Sequence, residues 1–493
     1  MPECDSCLHV YGEQYLAMLI TDSFAEALGR ILHPGKLIVD TSAMEYYSMD
    51  ASGRYSSGTS QILSHRVSGV VRPIYTWQVV EIVKLANEHS IPLIPYGGGT
   101  GLTGAASSVK GGLAVDLLKM DRIVDVSVED RTVKVEAGTI LANLDMELNR
   151  EGLLLGHDPY SLPIATVGGA ISTNGVGYRA AKYGSIGDQV LGLKVVMPNG
   201  EILRNRPVHK TSSGPSLYHL FVGAEGTLGI ITEATLKVFK IPEARVFKSI
   251  SFVNFEAGYG AMQEMFALGL CPALIDLSEE VAPTHPSKSI SESLTKNITM
   301  YLVFEGYIEE VQSQVKRALD ICRIAGGEDI GDQYTREYWN TRHDSAYQYK
   351  KRFIDTVTSS DSSPANIRGV SYPHVALPPS KVMEYREICD DICLKLGVGI
   401  REYCLWTHPG LFSMILVSVD LEALNGVSGL EEASNRVLTL AHEMGGSMEY
   451  VHGVGTKLSH LMEEEMGYGI EFLKRIKKTV DPNSIMNPGK MGL

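Results

Sequence analysis

The sequence has few cysteines, no long apolar run and no excess of positive charge. Seven cysteines in 493 residues do not form a disulfide framework, and Cys4-x-x-Cys7 has no second such pair to complete a four-thiolate metal site. No apolar stretch approaches the ~20 residues of a membrane-spanning helix, and the first residues lack the layout of a signal peptide. The net charge of −14 argues against nucleic acid as the main partner. These absences predict a cytoplasmic protein without an integral membrane segment, and the length predicts two or three domains.

Glycine is plentiful, and five of the 49 glycines fall within residues 97–104. This loop directly follows the short apolar run at 91–94. Glycine allows backbone to come close to a ligand, and successive backbone N–H groups form a concave site for anions. We therefore predict that the loop cradles a pyrophosphate through backbone amides, because it contains no Lys or Arg. The alternative is a glycine-rich surface turn.

Residues 99–104 also match the pattern G-x-G-x-x-G of dinucleotide-binding proteins. A Rossmann site needs a helix directly after this pattern. Here a second glycine-rich stretch leads within a few residues to the strand-like run at 113–116. This connection is too short and too rich in glycine for the usual crossover between parallel strands. We therefore expect the loop to hold phosphates in another architecture.

Two further glycine segments lie at residues 165–177 and 223–229, with small hydroxyl side chains between the glycines of the first. Such segments suit a backbone that approaches an extended polar ligand, although a tight loop packed under a sheet has the same composition. From residue 244 onwards, strand and helix patterns alternate without glycine segments, which predicts a separate α+β domain. An Asn-Gly pair at 199–200 predicts a hairpin. The Ser-, Pro- and Thr-rich stretch 278–296 predicts a mobile loop, and 457–478 predicts one helix.

Five segments in order resemble the FAD-binding flavoproteins of the vanillyl-alcohol-oxidase (PCMH) type. They are residues 96–104, 166–169, 223–232, 375–380 and 481–490. Within this group the chain resembles the branch that contains the glycolate oxidase subunit, D-lactate dehydrogenase and D-2-hydroxyglutarate dehydrogenase. The resemblance implies an α+β fold: a two-part PCMH-type FAD-binding domain with a ferredoxin-like α+β substrate-cap domain inserted before the C-terminal helix. The implied FAD-binding domain is 1–243, the cap domain is 244–439, and residues 440–493 return to the FAD domain and the active site.

The resemblance also implies which residues hold FAD. Some relatives attach FAD through a histidine in the pyrophosphate loop, and because this loop has none, we expect a non-covalent cofactor. The implied cofactor-binding residues are Pro95, Gly97, Gly98, Gly99, Thr100, Gly101, Leu102, Pro159, Thr166, Gly168, Gly169, Ser172, Thr173, Asn174, Gly175, Glu225, Gly226, Gly229, Ile230 and Asn487.

Two residues are candidates for catalysis. His452, in Tyr-Val-His-Gly-Val-Gly, resembles the histidine of the family's Glu-His-Gly segment, and histidine is the natural base near neutral pH. Arg342, in Trp-Asn-Thr-Arg, resembles an element that clamps a substrate carboxylate, which suits a planar guanidinium. The alternatives are a packed histidine on a turn and a surface arginine on a helix.

The chain departs from its metal-dependent relatives at three positions. Those relatives carry a His-x-Gly-Asp-Gly-Asn-x-His motif and the glutamate of Glu-His-Gly. The corresponding positions here are Trp406, Ser413 and Val451, and His408 alone does not make a zinc site. The sequence therefore predicts no metal site. The same departures leave room for an aromatic or apolar substrate pocket around Tyr403, Trp406 and Phe412. The alternative is that these three aromatic residues near a strand belong to the core.

The resemblance implies an FAD-dependent oxidoreductase that oxidises the hydroxyl-bearing carbon of a small 2-hydroxy acid by hydride transfer to flavin N5. Two alternatives stay open: oxidation of a phenolic or other alcohol, as in the vanillyl-alcohol branch, and a non-catalytic flavin subunit of an electron-transfer complex. Residues 157–159 and 452–455 are also similar to alkyl-dihydroxyacetonephosphate synthase, a transferase, whose histidine-rich run is missing here. The expected partners are the substrate and an unidentified electron acceptor, and the chain is compatible with a homodimer.

Overall fold

A computed structural model describes residues 22–33, 36–55, 65–283, 294–354, 369–418 and 424–493. Cys4 and Cys7 lie outside these ranges. The strands are β1 Lys36–Ile38, β2 Gly69–Arg72, β3 Leu93–Tyr96, β4 Leu113–Asp116, β5 Ile123–Ser127, β6 Thr132–Glu136, β7 Leu153–Leu154, β8 Val190–Val196, β9 Ile202–Arg204, β10 Ile230–Lys237, β11 Phe239–Lys240, β12 Ala244–Phe252, β13 Leu274–Pro283, β14 Leu294–Gly306, β15 Glu328–Asp329, β16 Val370–Ser371, β17 His374–Ala376, β18 Val398–Trp406 and β19 Leu411–Ser418.

Helices cover much of the rest, so the predicted α+β class is confirmed. The α-helices are Asp22–Ile31, Thr41–Tyr47, Ala51–Tyr55, Thr76–Glu88, Leu141–Arg150, Val167–Thr173, Ala180–Tyr183, Ile186–Gln189, Phe255–Ala267, Ile308–Ile324, Gln333–Thr341, Asp344–Tyr349, Val382–Lys395, Leu424–Glu443, Met462–Met466 and Tyr468–Val480. In the described part of the chain, none of them has the length and apolar content needed to span a bilayer.

The first sheet has four strands in the order β1-β2-β4-β3 and presents the glycine loop at the end of β3. β3 and β4 are parallel, with Leu93 opposite Leu113 and Tyr96 opposite Asp116. The argument that this connection is too short for a parallel pair is therefore wrong. The chain makes the crossover through residues 97–112 without an intervening helix, which agrees with the exclusion of a Rossmann site. Glycine makes this possible: at Gly112 (φ +93°) a Cβ would overlap the carbonyl of Pro92.

The second sheet is antiparallel throughout, in the order β5-β6-β10-β8-β9. The predicted Asn-Gly hairpin is confirmed, because β8 and β9 pair antiparallel and Gly200 adopts φ +81° in the turn between them. β10 lies between β6 and β8 and begins immediately after the third glycine segment. The second sheet therefore fixes the end of that segment.

The third sheet contains eight strands from residues 244–418, in the order β15-β12-β14-β13-β18-β19-β16, with β17 paired to β19. β13 continues to Pro283 and β14 begins at Leu294, so the ends of the predicted loop 278–296 are strands, and residues 284–293 lie outside the described ranges. The sequence analysis missed both β13 and β18. Each carries several acidic or other polar residues among its apolar ones, which hides the strand pattern.

Two large apolar cores accompany these sheets. One contains buried residues of the first two sheets together with Ile485 and Met486, and the other surrounds the eight-stranded sheet. The predicted helix at 457–478 is wrong in its extent, because Gly467 at φ +52° separates Met462–Met466 from Tyr468–Val480. The second of these helices carries Lys477, a buried side chain whose Nζ donates to the carbonyls of Thr227 and Met486 at 2.7 Å. This contact ties the chain end to the third glycine segment.

Candidate active site

The glycine loop packs directly against the second glycine segment. A Cβ at Gly98 would overlap the carbonyl oxygen of Ile164, and one at Gly97 would overlap the hydroxyl oxygen of Thr166. Thr166 in turn caps the helix Val167–Thr173 by accepting the N–H of Gly169 at 3.2 Å. The requirement for glycine is therefore set by close packing of two backbones, which leaves the loop little freedom to change shape.

The third glycine segment joins the same place. Glu225 donates its backbone N–H to the carbonyl of Ser172 at 2.8 Å, and Gly223 donates to Ile171 at 2.9 Å. A Cβ at Gly226 would lie 2.9 Å from Cγ of Pro95. The structure thus brings together all three glycine segments that the sequence analysis grouped.

The C-terminal segment 481–490 completes this region. The Asn487 side-chain amide donates to the carbonyls of Ala105 at 2.8 Å and Glu225 at 2.6 Å, while its Oδ1 has no partner among the described residues. Lys490 is fully buried, and its Nζ likewise finds no hydrogen-bond partner within the described ranges. Burial lowers the pKa of Lys490 to about 8, against the opposing attraction of Glu225 and Asp50. A buried ammonium beside a backbone-lined loop fits a cofactor that carries anionic phosphates.

Some of the predicted cofactor residues also have a role in local packing. A Cβ at Gly168 would lie 2.8 Å from Cβ of Ala137, and one at Gly229 would lie 2.8 Å from Cγ1 of Val195. Asn174 sits at φ +50° at the end of its helix, and its Oδ1 accepts hydrogen bonds from neighbouring loop residues. Contact of these residues with FAD stays a prediction.

The loop that carries His452 is fastened to the glycine loop. Thr103 Oγ1 donates to the carbonyl of His452 at 3.3 Å, and a Cβ at Gly455 would overlap the carbonyl of Thr103. Glu225 also holds this loop, because its Oε1 accepts the N–H groups of Val454 at 2.6 Å and Gly455 at 3.0 Å. Burial raises the pKa of Glu225 to about 7, in spite of these two hydrogen bonds. His452 is therefore positioned by the same residues that form the proposed cofactor cradle.

Two residues that the sequence analysis did not consider surround the His452 ring. Glu449 Oε2 lies 3.7 Å from His452 Nδ1, and the ring of His374 crosses the ring of His452 at a centroid distance of 4.6 Å. Glu449 Oε1 accepts the backbone N–H groups of Val451 at 2.6 Å and His452 at 2.8 Å. The signal for Glu449 was its place three residues before His452, whereas His374 is distant in sequence and only the pairing of β17 brings it close.

Arg342 lies in a separate cluster around a buried carboxylate. Its Nε is 3.0 Å from Asp158 Oδ2, its Nη1 donates to the carbonyl of Trp339, and its guanidinium lies over the Trp339 ring at 4.1 Å. Arg179 and His343 also face Asp158, at 3.5 Å and 2.9 Å. A guanidinium has five N–H donors, so these two contacts leave donors on Nη1 and Nη2 for a carboxylate ligand. Binding of a substrate carboxylate by Arg342 stays a prediction.

A buried aromatic group lies between the Arg342 cluster and the eight-stranded sheet. Tyr178 contacts Trp406 at 5.3 Å and Tyr338 at 5.9 Å between ring centroids, and Tyr338 donates to Asp276 Oδ2 at 2.8 Å. Asp276 Oδ1 and Trp406 Nε1 have no hydrogen-bond partner in the part of the chain that the structure describes. Burial, reinforced by the charge of Glu402, raises the pKa of Asp276 to about 7. This group can donate and accept hydrogen bonds next to aromatic surfaces.

Asp276 should make folding stability depend on pH. The unfolded chain loses this proton near pH 3.8, whereas the folded chain retains it up to about 7. The folded state therefore binds more protons in that window, and its stability falls as the pH rises. Between roughly pH 5 and pH 8, the free energy of unfolding should fall by about 3 kcal/mol less in Asp276→Asn than in the wild type. Urea unfolding midpoints measure this difference. The exposed Asp391→Asn variant is the control, and equal curves for wild type and Asp276→Asn would contradict the prediction.

The three positions at which metal-dependent relatives have ligands take other roles here. Ser413 Oγ and the Tyr450 hydroxyl form a hydrogen bond at 2.6 Å. Trp406 belongs to the aromatic group, and Val451 uses its backbone N–H to support Glu449. The sequence analysis considered only these three positions and did not weigh His374 and Glu449.

Comparison with known proteins identifies the relatives of the chain. The family model "FAD binding domain" matches residues 67–206, and "FAD linked oxidases, C-terminal domain" matches residues 241–491. A D-lactate dehydrogenase of Anaerostipes hadrus is 29% identical, over 93% of this chain and 95% of that protein. A probable mitochondrial D-lactate dehydrogenase of Danio rerio is 30% identical, over 86% and 84%. A solved alkyldihydroxyacetonephosphate synthase, 22% identical, has the same fold, with a TM-score of 0.74 over 95% of this chain and 84% of that chain.

Proposed function

This chain belongs to the FAD-linked oxidase family of the vanillyl-alcohol-oxidase superfamily, and from that premise we propose that it oxidises a small 2-hydroxy acid. FAD is its cofactor, and the chain is an FAD-dependent oxidoreductase that acts on CH–OH groups. The choice of a hydroxy acid is supported by the two D-lactate dehydrogenases that align with almost the whole chain.

The observation that carries this proposal is the attachment of His452 to the glycine loop. Thr103 and Glu225 hold the His452 segment against the proposed cofactor cradle, which supports a position of the imidazole beside the hydroxyl group that is oxidised. Bound FAD supplies the hydride acceptor. His452 accepts the proton of the substrate hydroxyl at Nε2, while its Nδ1 faces the Glu449 carboxylate. Residues 244–439 act as the substrate cap, and 440–493 return to the cofactor.

Arg342 has the role of a carboxylate-binding residue in this proposal. Lysine cannot reproduce the planar guanidinium, so Arg342→Lys should raise KM for a 2-hydroxy acid by roughly 10-fold or more, with a smaller change in kcat. Arg336→Lys is the matched control, because Arg336 is on the same region of the chain but pairs with the exposed Asp332. Steady-state kinetics of both variants decide the matter. An unchanged KM in Arg342→Lys would favour a phenolic or other alcohol as the substrate over a 2-hydroxy acid.

Lys490 has the role of a cation for the FAD phosphates, which the glycine loop itself lacks. A buried ammonium without a partner costs stability in the apoprotein, so Lys490→Met should leave apoprotein stability unchanged or raised. The same variant should bind FAD ~10–100-fold more weakly, because a hydrogen bond to a charged group is lost. Flavin fluorescence titrations and thermal unfolding of the apoprotein measure the two effects. A variant that binds FAD as tightly as wild type would remove Lys490 from the cofactor site.

A substrate panel with an artificial electron acceptor tests the function. The purified protein should be yellow, release FAD on acid denaturation and reduce the acceptor with 2-hydroxy acids. The second candidate is a phenolic or other alcohol, favoured by the buried Tyr178 and the partly buried Tyr338 and Trp406 near Asp276. Faster turnover of phenols than of every hydroxy acid would favour this second candidate. If no compound in the panel reduces the flavin, a non-catalytic electron-transfer subunit would be favoured instead.

A further inference from the structure

His374, Glu449 and His452 form a compact group of potential metal ligands. One ligand atom from each side chain lies within 4.8 Å of the other two. Within the described ranges, no other three His, Cys, Asp or Glu side chains come this close. Two imidazoles and one carboxylate are a ligand set that Zn²⁺ uses in catalytic sites, where a further position stays open.

The backbone places His374 so that one nitrogen faces the group. Its Nδ1 is 2.8 Å from the carbonyl of Tyr372, and because a carbonyl only accepts, Nδ1 must carry the proton. The lone pair is therefore on Nε2. This arrangement, with the second nitrogen bound to a carbonyl, is how metal-binding histidines are usually oriented.

Glu449 offers one carboxylate oxygen in the same direction. Its Oε1 is held by the N–H groups of Val451 and His452, and its Oε2 faces His452 Nδ1 at 3.7 Å. Tetrahedral zinc with bonds of ~2.1 Å has ligand atoms roughly 3.3 Å apart. The three ligand atoms lie within 4.8 Å of one another, so each pair has to come closer by at most about 1.5 Å to bind the ion.

We propose that His374, Glu449 and His452 bind a divalent transition-metal ion such as Zn²⁺, and that the bound ion removes His452 from proton transfer. A neutral imidazole has a single lone pair. When the ion occupies Nδ1 of His452, Nε2 carries the proton and cannot accept one from a substrate. The ion is thus an inhibitor, and the reaction itself needs no metal. The inhibitory half rests on the proposed role of His452 as the base.

This site differs from the metal motif that the chain lacks. The positions of that motif are 406, 413 and 451, whereas the group uses 374 and 449 together with His452. The expectation of no metal site came from the first set alone. The pairing of β17 with β19 and the parallel bridge between His374 and Glu449 create the new set.

Calorimetric titration of the FAD-containing, chelator-treated protein with Zn²⁺ tests binding without any substrate. We expect one Zn²⁺ per chain, with affinity reduced at least roughly 10-fold in His374→Ala and in Glu449→Gln. His442→Ala is the matched control, because His442 faces Glu464 and Glu465 in a second histidine–carboxylate group and should not change the affinity. The absence of binding, or binding that only His442→Ala weakens, would overturn the site. Flavin absorbance and thermal unfolding confirm that each variant is folded and loaded.

The inhibitory half needs a second measurement. Zn²⁺ should slow flavin reduction by substrate in a single turnover, a chelator should restore the rate, and His374→Ala should require at least roughly 10-fold more Zn²⁺ for the same inhibition. Activation by Zn²⁺, or loss of activity after chelation, would show that the ion serves the reaction and would overturn this half. If the protein binds Zn²⁺ but none of the tested substrates reduces its flavin, the proposed function would be contradicted instead.

Discussion

Replacing His452 by alanine is expected to lower kcat by a factor of ~10²–10⁴, because a base acts in the transition state. KM should change much less, since the imidazole contributes little to holding the substrate in the ground state. FAD should remain bound, because the contacts from the His452 segment to Thr103 and Glu225 are made by backbone atoms of residues 452, 454 and 455. The variant should therefore be yellow, folded and slow.

Single-turnover flavin reduction with the native substrate measures this effect free of the electron acceptor. His460→Ala is the matched control, because His460 lies eight residues further along the same segment and its side chain is exposed. Wild-type flavin reduction by His452→Ala would remove the residue from the chemistry. Loss of FAD from His452→Ala would point instead to a structural role, and the absorbance spectrum of the purified variant distinguishes the two.

The parts of this site that lie in glycine segments were predictable from the sequence. Positions 97, 98 and 226 require glycine because Thr166, Ile164 and Pro95 pack closely against them, and such a requirement is visible in the amino-acid sequence. The family resemblance of residues 452–455 and 481–490 likewise implied the His452 segment and Asn487. The strands β8 and β9 followed from an Asn-Gly turn, which is also a local signal.

The parts that depend on pairing between distant strands were not predictable. His374 reaches His452 only because β17 pairs with β19 and forms a bridge to Glu449. The parallel pairing of β3 and β4 was missed because a crossover without a helix is unusual. For Arg342, the resemblance implied a residue that clamps a carboxylate, but it did not indicate the contacts of its guanidinium with Asp158 and Trp339. Such engagement is a property of the folded chain rather than of any segment.

The second large effect is expected at Glu225, because this one buried residue contacts three other segments of the site through its main chain and its side chain. It is 4% exposed, and its main chain contacts Ser172 and Asn487. Its carboxylate accepts the N–H groups of Val454 and Gly455. Removing the carboxylate leaves those two buried donors without an acceptor, at a cost of about 1–3 kcal/mol each. The His452 segment would then shift to find water or another acceptor.

Glu225→Ala should therefore slow flavin reduction by a factor of ~10², the usual consequence of displacing a catalytic group by about 1 Å. Glu225→Gln is the matched control, since its amide oxygen still accepts both N–H groups and both variants face the same φ of +50°. Gln should retain most of the rate and the thermal stability that Ala loses. Equal losses in the two variants would mean that the charge of Glu225 matters rather than its hold on residues 454 and 455. A wild-type rate in Glu225→Ala would show that the His452 segment keeps its place without this anchor.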